Sequence, residues 1–131
     1  MTKGINYSVK DIGLFDKLEG KVFVGKDLGL TGTEVSVSKL AAGTASPFVH
    51  AHKKNEELYL VIGGKGMFYV DGEEFPVQEG SLIRVAPAGE RALKAGDKDL
   101  YYICIQAEAG SLKQATREDG IMLESKPSWM K

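Results

Sequence analysis

Between Thr33 and Gln106 the chain meets a turn signal about every 8–12 residues, a spacing that leaves no room for long helices. The signals are Ala42-Gly43, Lys53-Lys54-Asn55, Gly63-Gly64, Asp71-Gly72, Glu79-Gly80, Pro87-Ala88-Gly89 and Gly96-Asp97. The runs between them are short and β-prone. Thr33 to Leu40 alternates polar and apolar residues, the period of a half-buried strand. Lys21–Val24 reads as a strand before it. Glu57–Ile62, Met67–Val70, Glu73–Val77, Ser81–Ala86, Arg91–Lys94 and Leu100–Ile105 read as strands after it. Asp71-Gly72 predicts a type I′ hairpin. Pro76 has no N–H to give a ladder, which places its strand at an edge or interrupts it. Leu100–Ile105 is nearly all apolar and reads as a buried central strand. Such strands, with sixteen glycines to turn them, predict an all-β fold: a sandwich, a jelly roll or a small barrel. Composition does not choose among the three.

The flanks are less regular. Ser8 to Leu18 carries a ragged apolar pattern that fits a short helix or an edge strand, with turns at Gly13 and Gly20. Gly25 to Gly32 is rich in turns. From Ala107 to Lys131 the chain turns polar and reads as a peripheral tail, with Trp129 expected to pack onto the body. The 131 residues are expected to form one domain, with a core in 33–106, N-terminal strands in 1–32 and the tail in 107–131. That length suffices for a hydrophobic core without disulfides or metal staples.

The formal net charge is −1 and no basic cluster stands out, so neither nucleic acid nor an anionic membrane is indicated as a partner. No run of about 18 apolar residues marks a membrane span. Met1 to Asn6 lacks the apolar stretch of a secretory signal, and the single cysteine, Cys104, has no partner for an intrachain disulfide. A cytoplasmic location is therefore expected. Cys104 lies in an apolar run and reads as a small buried residue rather than a nucleophile.

Both histidines of the chain fall two residues apart, at His50 and His52, just before Glu56 and Glu57. In extended chain, alternate side chains point to one side, so both imidazoles face the same way. An antiparallel return through Glu57–Ile62 brings a carboxylate back beside them. Two histidines and one carboxylate on one face form the ligand set of mononuclear non-haem iron sites, and the set also suits zinc, nickel and manganese. An HxH pair also arises by chance, and Glu56-Glu57 also fits a solvated turn.

The stretches GTASPFVHAHKKNEELYLVIGGKG and VDGEEFPVQEGSLIRVAP together resemble the cupin superfamily, in particular its small single-domain members. The first cupin motif is a glycine, HxH, a glutamate three or four residues later and a glycine after six more. Here four residues separate His52 from Glu57, and six separate Glu57 from Gly64. That spacing selects Glu57 over Glu56 as a ligand. Six residues lie between Gly43 and His50, where the family usually has five. The second motif is a glycine, then Pro-x-Gly, then a histidine. Gly80, Pro87 and Gly89 are present with one extra residue before the proline. Arg91 stands where the family has its histidine. The resemblance implies a double-stranded β-helix, that is, a jelly-roll barrel, with a divalent metal (Fe, Mn, Ni or Zn) held by His50, His52 and Glu57 between the sheets.

If those three point inward, Tyr59 and Val61 share the inward face of Glu57, and Phe48 that of His50. Tyr59 is then a candidate to orient bound water or substrate, or else a core tyrosine bonded elsewhere. Leu58, Leu60 and Ile62 face outward and need a cover. The N-terminal segment can supply it or, as cupins often dimerise through such a sheet, a second copy; a homodimer is expected. Arg91 has no lone pair to ligate a metal. Three placements are open to it: beside the open side of the metal, gripping an anionic substrate; paired with Glu57 or Glu56 in a metal-free pocket; or on the surface. The expected function is that of a metal-dependent enzyme acting on a small, anionic metabolite by oxygenase, isomerase or decarboxylase chemistry. The alternative is a small-molecule binding or sensing module without turnover.

Overall fold

The computed structural model describes residues 1–114 and 116–130. Ten strands and two helical turns of four residues follow in the order β1 (Thr2–Lys3), β2 (Ser8–Val9), β3 (Lys21–Phe23), α1 (Gly25–Leu28), β4 (Glu34–Leu40), β5 (Asn55–Gly63), β6 (Lys65–Val70), β7 (Glu73–Gln78), β8 (Leu82–Val85), β9 (Arg91–Ala95), β10 (Leu100–Glu108) and α2 (Thr116–Asp119). A five-stranded sheet has the order β3-β4-β10-β5-β8, and a three-stranded sheet the order β7-β6-β9. Every pairing is antiparallel. The fold is all-β, as expected.

The core takes side chains from both sheets: Tyr59, Val61 and Tyr102 from the larger, Phe68, Val77 and Leu93 from the smaller. Phe68 is its centre, 1% exposed, edge-on to Tyr59 and stacked with Phe75. Along β5, burial alternates residue by residue. Glu57, Tyr59 and Val61 point in; Leu58, Leu60 and Ile62 are half-buried on the outer face. Antiparallel register carries this parity into β10, where Cys104 pairs with Tyr59 and Gln106 with Glu57.

Several local features follow from single residues. Asp71 and Gly72 both take positive φ, 51° and 87°, the signature of the type I′ turn expected there. Pro76 lies on β7, an edge strand, where a missing donor costs no ladder bond between two neighbours. β10 is central, with β4 on one side and β5 on the other. The ragged segment from Ser8 to Leu18 splits into β2 and a 3₁₀ turn at Phe15–Lys17. Within Gly25–Gly32 the chain makes the single helical turn α1, closed by Gly29 in the left-handed region at φ 72°. Ser8 Oγ donates to the Leu28 carbonyl at 2.6 Å and ties β2 to α1.

Trp129 does not pack onto the body. It is 82% exposed, and Ile121, Met122 and Leu123 stand out as well. The tail begins in the β10–β5 ladder, and Ala109 still donates to the Lys54 carbonyl, but the backbone bonds described near Trp129 are local, Gly120 to Thr116 and Met130 to Pro127. Ala115 and Lys131, which the sequence places in the same tail, lie outside the described residues. Among the described residues no helix is long and apolar enough to cross a membrane.

Because Phe68 fills the space between the sheets, Phe68→Ala is expected to destabilise the fold by about 3–5 kcal/mol. Urea unfolding monitored by tyrosine fluorescence would measure this.

Candidate metal centre

The stretch between β4 and β5 that carries the histidines forms isolated bridges outside the named strands, yet its geometry is fixed. His50 forms an isolated antiparallel bridge with Arg91: the His50 N–H donates to the Arg91 carbonyl at 3.1 Å and the Arg91 N–H to the His50 carbonyl at 2.9 Å. Ala45 bridges Lys94 in the same sense, and the His52 N–H donates to the Pro87 carbonyl at 2.8 Å. The chain leading to the histidines therefore runs along β9. Residues opposed in such a pair project to the same face, so His50 and Arg91 both turn inward, and His52, two residues on, follows.

β5 supplies the third group. His50 Nε2 lies 3.6 Å from Glu57 Oε1, and His52 Nε2 lies 3.3 Å from Glu57 Oε2. One ligand atom from each residue falls within 4.8 Å of the others. Such separations suit three ligands sharing one ion through bonds of about 2.0–2.2 Å. The donor set fits a divalent cation on a second ground. His52 Nε2 is buried with no hydrogen-bond partner, and a buried nitrogen left unpaired is costly. Burial lowers the His50 pKa, and the charges of Arg91, His52 and Lys21 add to this against the pull of Glu57. At neutral pH His50 keeps a lone pair to give.

Glu57 is held from several sides. Tyr59 Oη donates to Oε1 at 2.8 Å, and the Cys104 thiol lies 3.3 Å from Oε2. Burial alone would raise its pKa. The hydrogen bonds from Tyr59 and Cys104 and the charges of His52 and Arg91 outweigh burial and hold it below its ordinary value of 4.5. Burial, with the neighbouring Cys104 and Glu57, pushes the Tyr59 phenol far up. Tyr59 is thus a neutral donor whose hydroxyl is committed to the carboxylate.

Arg91 is neither on the surface nor at an open face. It is fully buried. Nη2 donates to the Ala86 carbonyl at 2.8 Å, Nη1 lies 3.6 Å from Glu57 Oε1, and Nε and Nη1 have no hydrogen-bond partner. The guanidinium thus stands beside Glu57, and not beside Glu56. Glu56 instead faces outward and takes a hydrogen bond from Arg84.

A cavity of about 300 Å³ opens onto the centre. Its wall includes His50, Glu57, Tyr59, Ser38, Tyr102 and Cys104, with Phe48 also lining it, but not Arg91. The guanidinium therefore does not meet a molecule in this cavity directly, because the His50 bridge directs it into the interior. A larger cleft of about 500 Å³ is lined by Gly64, Lys65, Gln78, Glu79, Asp97 and Lys98. Its acids form no metal-ligating cluster, and it is remote from the histidines in the fold. Ser38, Tyr102 and Cys104 escape a reading of the sequence as site residues. The apolar run of β10 hides its two-residue period, and only its pairing with β5 shows that Cys104 stands beside Tyr59.

The Tyr59 hydrogen bond yields a pH-dependent test in protein stripped of metal. A carboxyl whose pKa is lowered by folding stabilises the fold fully above its unfolded value and loses that contribution as pH falls through the folded value. Tyr59→Phe removes a donor to a buried charge, so a loss of about 1.5–3 kcal/mol is expected at pH 7. The deficit should shrink as acid protonates Glu57 below about pH 4.5. Denaturant melts of both proteins across pH 3–7 would show it.

Comparison with known proteins agrees with the fold. Residues 36–106 match the family model of the cupin domain. A crystal structure of a cupin protein from Bacteroides fragilis superposes with a TM-score of 0.85 at 40% identity, covering 91% of this chain and 98% of that one. A protein of Methanocaldococcus jannaschii is 30% identical over 57 residues, 43% of this chain and 46% of its own length, so the matched stretch spans about half of that relative. A structure described as a predicted oxalate decarboxylase from Thermotoga maritima gives a TM-score of 0.58 at 19% identity, covering 64% of this chain and 73% of that one. At that identity the likeness concerns the fold alone. On the matched domain and the Bacteroides structure, the chain belongs to the cupin family.

Proposed function

We propose that this protein is a metal-dependent enzyme whose centre, formed by His50, His52 and Glu57, binds Fe, Mn, Ni or Zn and acts on a small, anionic metabolite. The observation that carries this reading is the convergence of three ligand atoms, one of them the buried and unpartnered His52 Nε2, at the wall of a 300 Å³ cavity. When bound, a divalent ion with open positions supplies Lewis acidity or a seat for dioxygen. The chain's own residues supply the rest. Tyr59 orients Glu57 through its 2.8 Å hydrogen bond. Phe48, edge-on to His50 with ring centroids 6.1 Å apart, shields the imidazole and lines the approach to it. Arg91 balances Glu57 from the buried side. Oxygenase, isomerase and decarboxylase chemistry are all compatible with this arrangement, since fold does not set the reaction.

One observation favours a second reading. The 3.6 Å pair between Arg91 and Glu57 balances the carboxylate without any metal, as a binding or sensing module with a metal-free pocket would require. Metal analysis of protein purified without chelator separates the two. The enzyme reading expects about one metal ion per chain, and His50→Ala should abolish it. Protein free of metal, and unable to take it up on addition of Fe, Mn, Ni or Zn, would establish the second reading.

The proposed setting is the cytoplasm, and the proposed assembly is a homodimer. Leu58, Leu60 and Ile62 on β5 share the outer face with Ile103, Ile105 and Val35 through the register of β10 and β4. All six are half-buried within the chain, and Val37, opposite Ile103 on the same face, is buried. An apolar stripe across a sheet is the kind of surface a second copy would cover. Sedimentation equilibrium at micromolar concentration is expected to give twice the 14.2 kDa chain mass; a monomer would remove the dimer.

A further inference from the structure

The centre holds one more positive charge than a three-ligand metal site can use. His50 and His52 ligate only when neutral. Glu57 brings one negative charge, and Arg91, 3.6 Å away, brings one positive charge that it does not shed. The four side chains are thus neutral together before any cation arrives. Among the described residues nothing else nearby is negative. Glu57 is the one carboxylate lining the cavity, and Lys21 and Lys39 line it too. Lys39 is answered by Glu19 and Asp99; Lys21 lies over the Phe23 ring. Glu56 is turned outward toward Arg84. A divalent ion would leave two positive charges unbalanced next to Glu57, Tyr59 and Arg91, all of them buried. Uncompensated charge in such a place is strongly unfavourable.

We propose that Arg91 couples metal binding to anion binding: the centre takes a divalent metal tightly only when a compact anion enters the cavity with it. This inference rests on the metal-centre reading above and adds the class of the ligand. Two monoanions or one dianion restore neutrality. A small dicarboxylate, or a carboxylate beside an ionised hydroxyl, fits better than any neutral metabolite. The geometry permits it. The cavity reaches the centre at His50 and Glu57, so an anion approaches from that side while Arg91 keeps its bond to the Ala86 carbonyl. Arg91 therefore acts by its charge and not by contact, and is a positioning residue. Its unpartnered Nε and Nη1 mark a cation that the protein itself has not fully answered.

The test uses the full chain stripped of metal. Zinc is titrated calorimetrically at neutral pH with perchlorate as the only small anion, then with azide at the same ionic strength. In the wild type, azide should tighten zinc binding by about tenfold or more, within the usual range of coupling between sites. In Arg91→Gln, which removes the charge and keeps a polar side chain, the effect of azide should fall to about twofold or less. In Arg91→Lys, which keeps the charge, it should persist. Circular dichroism checks that each variant folds, and the wild-type comparison stands without them. Equal zinc affinity with and without azide would overturn the coupling and leave the metal centre intact. Undiminished coupling in folded Arg91→Gln would remove Arg91 from it. Failure to bind zinc under either condition would overturn the metal centre itself.

Discussion

A carboxylate leaves water only if something answers its charge, and at Glu57, 4% exposed, much of the interior is arranged to do so. The phenol of Tyr59 comes from the same strand, two residues on. The Cys104 thiol comes from β10 at the adjacent register position. The imidazoles and the guanidinium come from the loop and strand joined at the His50–Arg91 bridge. Three separate pieces of chain thus meet at one side chain. Each is placed by backbone pairing, so the centre is a product of sheet register before it is a product of chemistry.

That dependence explains how much the sequence disclosed. Turn residues and period-two runs are local signals, and they located the strands and the Asp71-Gly72 hairpin directly. The HxH pair and Glu57 were visible because two of the three lie on one short extended stretch, and the third follows at a fixed spacing. The edge position of β7 was visible because Pro76 states its own limitation. What stayed hidden is non-local. The direction of Arg91 depends on a bridge to a residue forty-one positions earlier. Cys104 gains its meaning only from the strand beside it. The tail misled for a related reason: an indole suggests burial, but burial requires a neighbouring surface, and among the described residues Trp129 stays 82% exposed.

Arginine in place of the family's histidine changes the character of the centre more than its shape. Histidine would add a neutral lone pair; arginine adds a permanent charge and donors only. The position remains interior, and its backbone still pairs with His50. The substitution therefore preserves the barrel while altering the electrostatics inside it. A family match alone is accordingly a poor guide to what this particular cavity accepts.

The Cys104 thiol has a consequence of its own. It is 7% exposed but lines the cavity beside Glu57, and burial pushes its pKa up to about 12, so a reagent that enters there meets a thiol and not the more nucleophilic thiolate. As the chain's single sulfhydryl, it is a natural reporter on that cavity, its slow labelling falling further when another molecule fills the space.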